Sequence, residues 1–267
     1  MWFDGQAEQF DDTAGLDPAV GRRVGEAILD VSGATGDDVI LDIGAGTGAI
    51  GRHFAAFPRR YLGLELSRAM LEIFQRKLEP PPRNMLLAEA DCDRPWPIGA
   101  RTVAVVFASR VVHHLELRHF AQETQRVCRP GGHLLLGRVT RDAGSLPSRL
   151  QRYKRALLAE HGFSAGGGGQ AVHRLVDMSR EMGATELPPV TVARWTRTAT
   201  PRQLLTAWER KPQLISGASS RTMSAEQRGA IIDALTGWTR EELGDLDRAQ
   251  EFAEEYTMHG VIWNQIS

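Results

Sequence analysis

Apolar and polar positions along the chain change period repeatedly, and those changes divide it into elements. From Pro18 onward Val20, Val24, Ala27, Ile28 and Val31 recur at helical spacing, with the proline where a first helical residue tolerates it. A turn over 33–38 leads to Val39-Ile40-Leu41-Asp42-Ile43, a short apolar run of the kind carried by buried parallel strands. Tyr61–Glu65, Met85–Ala88, Thr102–Ala108 and His133–Val139 read as further strands. Between them, Ser67–Leu78 reads as a helix capped by Ser67, with Met70, Leu71 and Phe74 facing inward. Leu117–Cys128 reads as a helix stopped by Pro130-Gly131-Gly132. This alternation predicts βαβ units: an α/β fold with a doubly wound, mostly parallel sheet.

From Arg141 the pattern changes. Ser148–His161 reads as a basic helix, Gly166–Gly169 as a flexible break and Val172–Met182 as a helix. Val190–Trp195 alternates as a strand. Pro201–Lys211 and Ser224–Leu243 read as helices, and Glu254–Trp263 as a closing strand. The expected organisation is a single domain with three regions: an N-terminal helical cap over 1–33, a core over 34–140, and a helical insertion or lid with late strands over 141–267.

At 267 residues, with 42% hydrophobic and 24% charged, the chain has material for a sizeable core. Its net charge of −1 argues against a broad basic face for nucleic acid. The two cysteines, Cys92 and Cys128, are far apart and form no metal-ligand pair, so no metal site and a reducing interior are expected. No apolar run approaches the roughly 20 residues of a membrane span, so no membrane partner is expected. Residues 1–12 mix acids with Trp2, Phe3 and Phe10 and contain no apolar signal core, which predicts a cytoplasmic chain. Oligomeric state is not legible.

Candidate chemistry begins at Asp42-Ile43-Gly44-Ala45-Gly46-Thr47-Gly48-Ala49, a glycine loop that follows a strand and is expected to open a helix. Glycine lets backbone approach a ligand closely, and a helix N-terminus offers N–H groups to an anion. Gly44, Gly46 and Ala49 satisfy G-x-G-x-x-G/A, which leaves a dinucleotide such as NAD open. Glu65, at the end of the next strand, can accept two ribose hydroxyls in an NAD site or an adenosyl site. Two features distinguish the cofactors. Asp42 would repel a pyrophosphate but suits an ammonium-bearing ligand. Asp91, after the third strand, can accept from an exocyclic adenine amine, with the Cys92 N–H facing the ring.

At these residues the sequence resembles the class I S-adenosylmethionine-dependent methyltransferases, in their small-molecule branch. The segments carrying the resemblance are VILDIGAGTGAIG, YLGLELSRAML, AEADCDRPWP, VAVVFASRVVHHL and VCRPGGHLLLGRV. The resemblance implies a Rossmann-like methyltransferase fold with S-adenosyl-L-methionine as cofactor. By it, Asp42, Gly44, Ala45 and Gly46 would hold the methionine part and Glu65 the ribose. Leu66 and Met70 would pack near the adenine, Asp91 and Cys92 would bind its edge, and Ser109 would lie beside the methyl donor. Phe3 and Phe10 would belong to an aromatic lid. Members that methylate nucleic acid or protein amides carry Asn/Asp-Pro-Pro-Tyr after the fourth strand. Here that place reads Ala108-Ser109-Arg110-Val111, which points to a small, partly apolar acceptor methylated at oxygen or nitrogen.

His113 and His114 follow the fourth strand and are the candidate catalytic residues, as base or orienting group, with one ring expected to face the acceptor and the other the protein. His119 and His133 read as surface or helix-associated residues. Arg149, Arg152, Lys154 and Arg155 read as the solvated face of a helix. An NAD-dependent oxidoreductase and a non-catalytic adenosyl-cofactor-binding protein are the competing readings.

Overall fold

The computed structural model describes residues 7–57, 60–163, 168–210 and 223–264. Trp2, Phe3 and residues 164–167 of the expected lid lie outside these. Seven strands form one sheet: β1 (Val39–Ile43), β2 (Arg60–Glu65), β3 (Met85–Glu89), β4 (Val103–Ser109), β5 (Cys128–Arg141), β6 (Ala184–Ala199) and β7 (Gln250–Trp263). Their order is β3-β2-β1-β4-β5-β7-β6. The pairs β2–β3, β1–β2, β1–β4 and β4–β5 are all parallel. The apolar runs of β1 and β4 are strands covered on both faces, whereas β3, first in the order, leaves Leu86 exposed.

The chain divides into two compact units. The first comprises 1–138, 168–193 and 256–267. Its helices are α1 (Ala7–Ala14), α2 (Pro18–Ser32), α3 (Arg68–Arg76), α4 (Leu117–Val127) and, after α5 of the second unit, α6 (Gly168–Glu181). Asp17 caps α2 by accepting from Ala19 N, and Gly33, at φ 61°, ends it. Ser67 caps α3 by accepting from Met70 N at 3.3 Å. On one sheet face Leu41, Ile43, Val106, Leu134 and Leu136 pack against α4 and α6 through Phe120, Val172 and Leu175. By the pleat, Asp42, Phe107, Ser109 and Gly137 point to the other face.

The second unit comprises 139–167 and 194–255. In it α5 (Leu146–Glu160), α7 (Pro201–Arg210) and α8 (Ala225–Leu243) enclose Leu150, Leu158, Trp208, Ile231 and Leu235. A capping box between Ser224 and Gln227 starts α8. Buried Glu254 accepts from Arg141 Nε at 2.6 Å and from Trp195 Nε1 at 2.9 Å.

Several sequence expectations need correction. No α-helix follows the glycine loop; a 3-10 helix, Gly51–Ala56, stands there. Gly48 is left-handed at φ 77°, which interrupts any helical run, and Phe57, the residue before Pro58, is extended. Strand β5 starts at Cys128, with residues 129–132 bulged out between the pairs Val103–Cys128 and Val105–His133. Strand β6 runs through Pro188 and Pro189 because it is the last strand in the order, where proline is tolerated. His133 is not a surface residue but a buried member of β5. Lys154 is not on a solvated face: it is 3% exposed, with Nζ 4.4 Å from the Trp208 ring centroid. The last two glycines of 166–169 belong to α6.

Candidate cofactor and acceptor site

The glycine loop turns its N–H groups inward. Gly44 N and Ala45 N both donate to Leu64 O, at 2.8 and 3.1 Å, and Gly48 N donates to Ala45 O. Gly46 N donates to Glu65 Oε2 at 2.9 Å. The other oxygen of Glu65 accepts from Ser67 N at 2.9 Å, so one carboxylate joins the loop to the start of α3. The expectation that this loop offers N–H groups to an anion at an α-helix N-terminus needs correction: the N–H groups of Gly44, Ala45, Gly46 and Gly48 are consumed internally, and a 3-10 helix follows. What the loop leaves for a ligand is oxygen acceptors and negative charge.

Gly44 has φ 71°, and a Cβ there would come within 2.5 Å of Val111 Cγ2. The constraint on Gly44 is thus the residue beyond β4 packed on it, a protein contact. A Cβ on Gly46 would meet the Gly44 carbonyl oxygen at 3.9 Å and the Met70 sulfur at 4.0 Å, both at ordinary contact distance, so Met70 borders the space above the loop.

Asp42 is buried, and its Oδ2 accepts from Tyr61 Oη at 2.6 Å. Burial pushes its carboxyl up to about 7, with nearby Glu65 adding to the rise and the Tyr61 hydrogen bond opposing it. Ser109 shares a 2.7 Å hydrogen bond with the Tyr256 hydroxyl of β7. Gly137 beside it is required, since any Cβ there would collide with that hydroxyl. Leu66 is half-buried. Asp91 is exposed and accepts from Asp93 N at 3.0 Å. Cys92 is buried, and its carbonyl accepts from Trp96 Nε1 at 3.0 Å; burial raises its thiol to about 12. Met70 packs with Ala7, Phe10 and Ile73, which seats α1 on α3. Phe3 lies outside the described residues.

A second link holds α1. Asp11 Oδ1 accepts from Thr47 Oγ1 at 2.6 Å, Asp11 Oδ2 pairs with Lys77, and Lys77 Nζ donates to Thr47 O at 2.8 Å. Burial alone would raise the Asp11 carboxyl, but bonds from Lys77 and Thr47 and the charge of Lys77 hold it below its ordinary value. Glu8 pairs with Arg76 at 2.8 Å.

His113 and His114 lie in a 3-10 turn, Val112–His114. Their rings are 3.9 Å apart at 42°, so they lie side by side rather than facing opposite ways. Both reach solvent, yet packing pushes both imidazoles down, and for His113 the neighbouring His114 and Arg110 add to it. Arg110 has φ 59°, a left-handed backbone rare for a side chain of that size, and its N–H donates to Gly137 O at 3.0 Å.

Sequence reading missed Tyr61, Tyr256, the Asp11–Thr47–Lys77 clasp and Arg110. One signal was present: the chain has only three tyrosines, and two of them serve polar groups on strands otherwise apolar.

The sheet order and this glycine loop define a Rossmann-like methyltransferase fold. Residues 40–132 match the family described as "Methyltransferase domain". Over this segment, about a third of its length, the chain is similar to methyltransferase domains. It is 34% identical over 127 residues to the ubiquinone/menaquinone biosynthesis C-methyltransferase UbiE of Syntrophotalea carbinolica, a match covering 46% of this chain and 53% of that protein. The chain thus spans about half the length of that relative. Among solved structures, the YcgJ protein of Bacillus subtilis superposes with TM-score 0.58 at 14% identity, covering 90% of this chain and 98% of that one. Geranyl diphosphate C-methyltransferase from Streptomyces coelicolor, bound to Mg2+, geranyl diphosphate and S-adenosyl-L-homocysteine, gives TM-score 0.50 at 16% identity, with 90% and 78% covered. At these identities the superpositions show the fold. Among the described residues no His, Cys, Asp and Glu cluster could hold a metal, and no helix is long and apolar enough to cross a membrane.

Proposed function

We propose that this protein transfers a methyl group from S-adenosyl-L-methionine to an oxygen or nitrogen of a small, partly apolar molecule. The carrying observation is the glycine loop whose N–H groups are spent on Leu64 O and Glu65, directly after buried Asp42. Such a loop is a poor cradle for a pyrophosphate and a good one for an ammonium and a sulfonium. This favours the adenosyl cofactor over NAD. When bound, S-adenosylmethionine supplies an electrophilic methyl carbon on a positively charged sulfur.

The residues take these roles. Asp42, ionised, faces the amino end, while Gly44, Ala45 and Gly46 give it close backbone. Glu65, already fixed by two N–H groups, keeps lone pairs for the ribose hydroxyls. Leu66 and Met70 would flank the adenine, and Asp91 and Cys92 would meet its edge. Ser109, oriented by Tyr256, stands beside the reacting centre. Phe10, on α1 over Met70, excludes water from that side. The neutral imidazoles of His113 and His114 can each accept a proton from an acceptor O–H or N–H. Alignment supplies most of the rate.

Calorimetry with S-adenosylhomocysteine and with NADH tests the reading. Micromolar binding of the former, about −8 kcal/mol, and none of the latter is expected. The opposite pattern would establish the oxidoreductase reading instead. Mass spectrometry on incubations with candidate acceptors then reads a gain of one methyl group, and product analysis gives the atom.

A further inference from the structure

We propose that Arg138, His173 and His259 form an anion-binding seat for a carboxylate or phosphate group carried by the methyl acceptor. The proposal rests on the methyltransferase reading and adds the charge of its substrate.

Three elements bring these residues together. Arg138 follows Leu134 and Leu136 in the alternation of β5, which puts it on the sheet face covered by α6. Its Nη1 lies 3.3 Å from His173 Nε2 on α6. A guanidinium can only donate, so His173 accepts there and carries its own proton on Nδ1. The His173 ring stands edge-on to that of His259 on β7, centroids 5.1 Å apart at 80°. One permanent cation and two protonatable rings therefore meet at one place.

No carboxylate among the described residues is paired with them. Arg138 is half-buried, and burial alone shifts its guanidinium down; no carboxylate opposes that shift. Burial lowers the His259 imidazole, as do His173 and Arg138. Glu186 of β6 is the acid that acts against this, and it is shared with Arg180 of α6 at 3.6 Å. Asp177, one turn along α6 from His173, faces the same Arg180 at 3.5 Å. The two nearby acids are thus drawn to another arginine. A planar guanidinium with unspent donors beside two imidazoles matches the geometry of a carboxylate or phosphate.

The position ties the seat to the acceptor. Arg138 comes one residue after Gly137, which pairs with Ser109 across the sheet and accepts from Arg110 N. The 3-10 turn carrying His113 and His114 packs on α6, the helix of His173. In doubly wound sheets ligands bind beyond the carboxyl ends of the parallel strands, and β4 and its parallel pairing with β5 end here, at Ser109 and Gly137. An acceptor anchored by its anion on Arg138 would lie on the α6 side of the sheet, with its nucleophile held toward the turn that carries His113 and His114.

The test uses the full chain with isotope-labelled histidine at about pH 6.5, near the ordinary imidazole pKa. Imidazole resonances are followed while inorganic phosphate, acetate or chloride is added at constant ionic strength, with S-adenosylhomocysteine calorimetry on the same samples. The His173 and His259 signals should shift together and saturate with phosphate or acetate, but not with chloride. Saturation by phosphate alone assigns a phosphate, and by acetate alone a carboxylate. Arg138→Gln should weaken the saturating response about tenfold while leaving S-adenosylhomocysteine affinity unchanged. His173→Gln, on the exposed side of α6, should do the same and serves if Arg138→Gln lowers the melting temperature. Shifts that match those in chloride, or variants that titrate like the wild type, overturn the seat. If S-adenosylhomocysteine binds and phosphate and acetate do not saturate, the seat fails by itself. If phosphate saturates and S-adenosylhomocysteine does not bind, the methyltransferase reading fails, and with it the link to an acceptor.

Discussion

Replacing Asp42 by asparagine should stabilise the ligand-free fold at neutral pH while weakening cofactor binding, because the same burial drives both effects. The carboxyl is raised from 3.8 to about 7. That is about three pKa units at about 1.4 kcal/mol each, or about 4 kcal/mol. The sign follows from proton binding. Below pH 3.8 the group is neutral in folded and unfolded chains, and its ionisation costs nothing. As pH rises from there to about 7 the unfolded chain gives up its proton and the folded one keeps it, so stability falls; above about 7 the loss is complete. Asparagine does not titrate, and its carbonyl oxygen can still accept from Tyr61 Oη. Its amide donors, newly buried, cost about 1–3 kcal/mol at every pH. Urea unfolding of both proteins from pH 4 to pH 8 isolates the ionisation, since all other titrating groups cancel in the difference. The variant should gain about 4 kcal/mol on the wild type across that range. A difference that stays flat with pH would refute the argument. Affinity runs the other way: a cationic ligand favours ionised Asp42, so wild-type binding of S-adenosylmethionine should weaken as pH falls below about 7, and the variant's should not.

Glu65→Gln should weaken S-adenosylhomocysteine binding by about 2 kcal/mol in calorimetry, since an amide cannot accept both backbone N–H groups and the ribose hydroxyls together. Tyr256→Phe should cost about 1 kcal/mol of stability by denaturant titration and lower turnover with cofactor affinity unchanged, because only the Ser109 partner is lost. Lys77→Met should leave Asp11 and Thr47 without their cation, and hydrogen exchange over Ala7–Ala14 should quicken in the ligand-free protein. With the acceptor identified, His113→Ala and His114→Ala separate base from scaffold: a base loses on the order of 10²-fold in rate with an altered pH profile, and a packing residue loses melting temperature instead.

The parts of the fold legible in the sequence are those where a residue's own neighbours decide its state. The central strands were legible because burial on both faces demands unbroken apolar runs, and Val39–Ile43 and Val103–Ser109 are such runs. Strand β6 extended past its legible part because Pro188 and Pro189 break a central strand but not an edge one, and edge position is a property of the sheet. The pairs Asp42–Tyr61 and Ser109–Tyr256 depend on register between strands, the second across 147 positions of chain. Lys154 looked solvated because its neighbours in sequence are basic; what buries it is Trp208 on another helix.

The glycine loop shows the same limit at the level of chemistry. The string Gly44-Ala45-Gly46-Thr47-Gly48-Ala49 fits a pattern that serves dinucleotides, and spacing alone does not exclude one. Two facts of the folded chain decide against it. The donors that would meet a phosphate point to Leu64 O and Glu65, because Gly44, Gly46 and Gly48 all adopt positive φ and fold the loop back on the end of β2. A carboxylate is also buried two residues before the loop, at a cost that the ligand-free protein bears alone. A cationic ligand turns that cost into affinity, since it stabilises the ionised form that burial disfavours, whereas an anion would add to it. The sign of the charge that this site accepts is therefore set by where the backbone N–H groups of three glycine-loop residues point and by one aspartate, and the glycine spacing shared by both cofactor classes sets only how closely a ligand can approach.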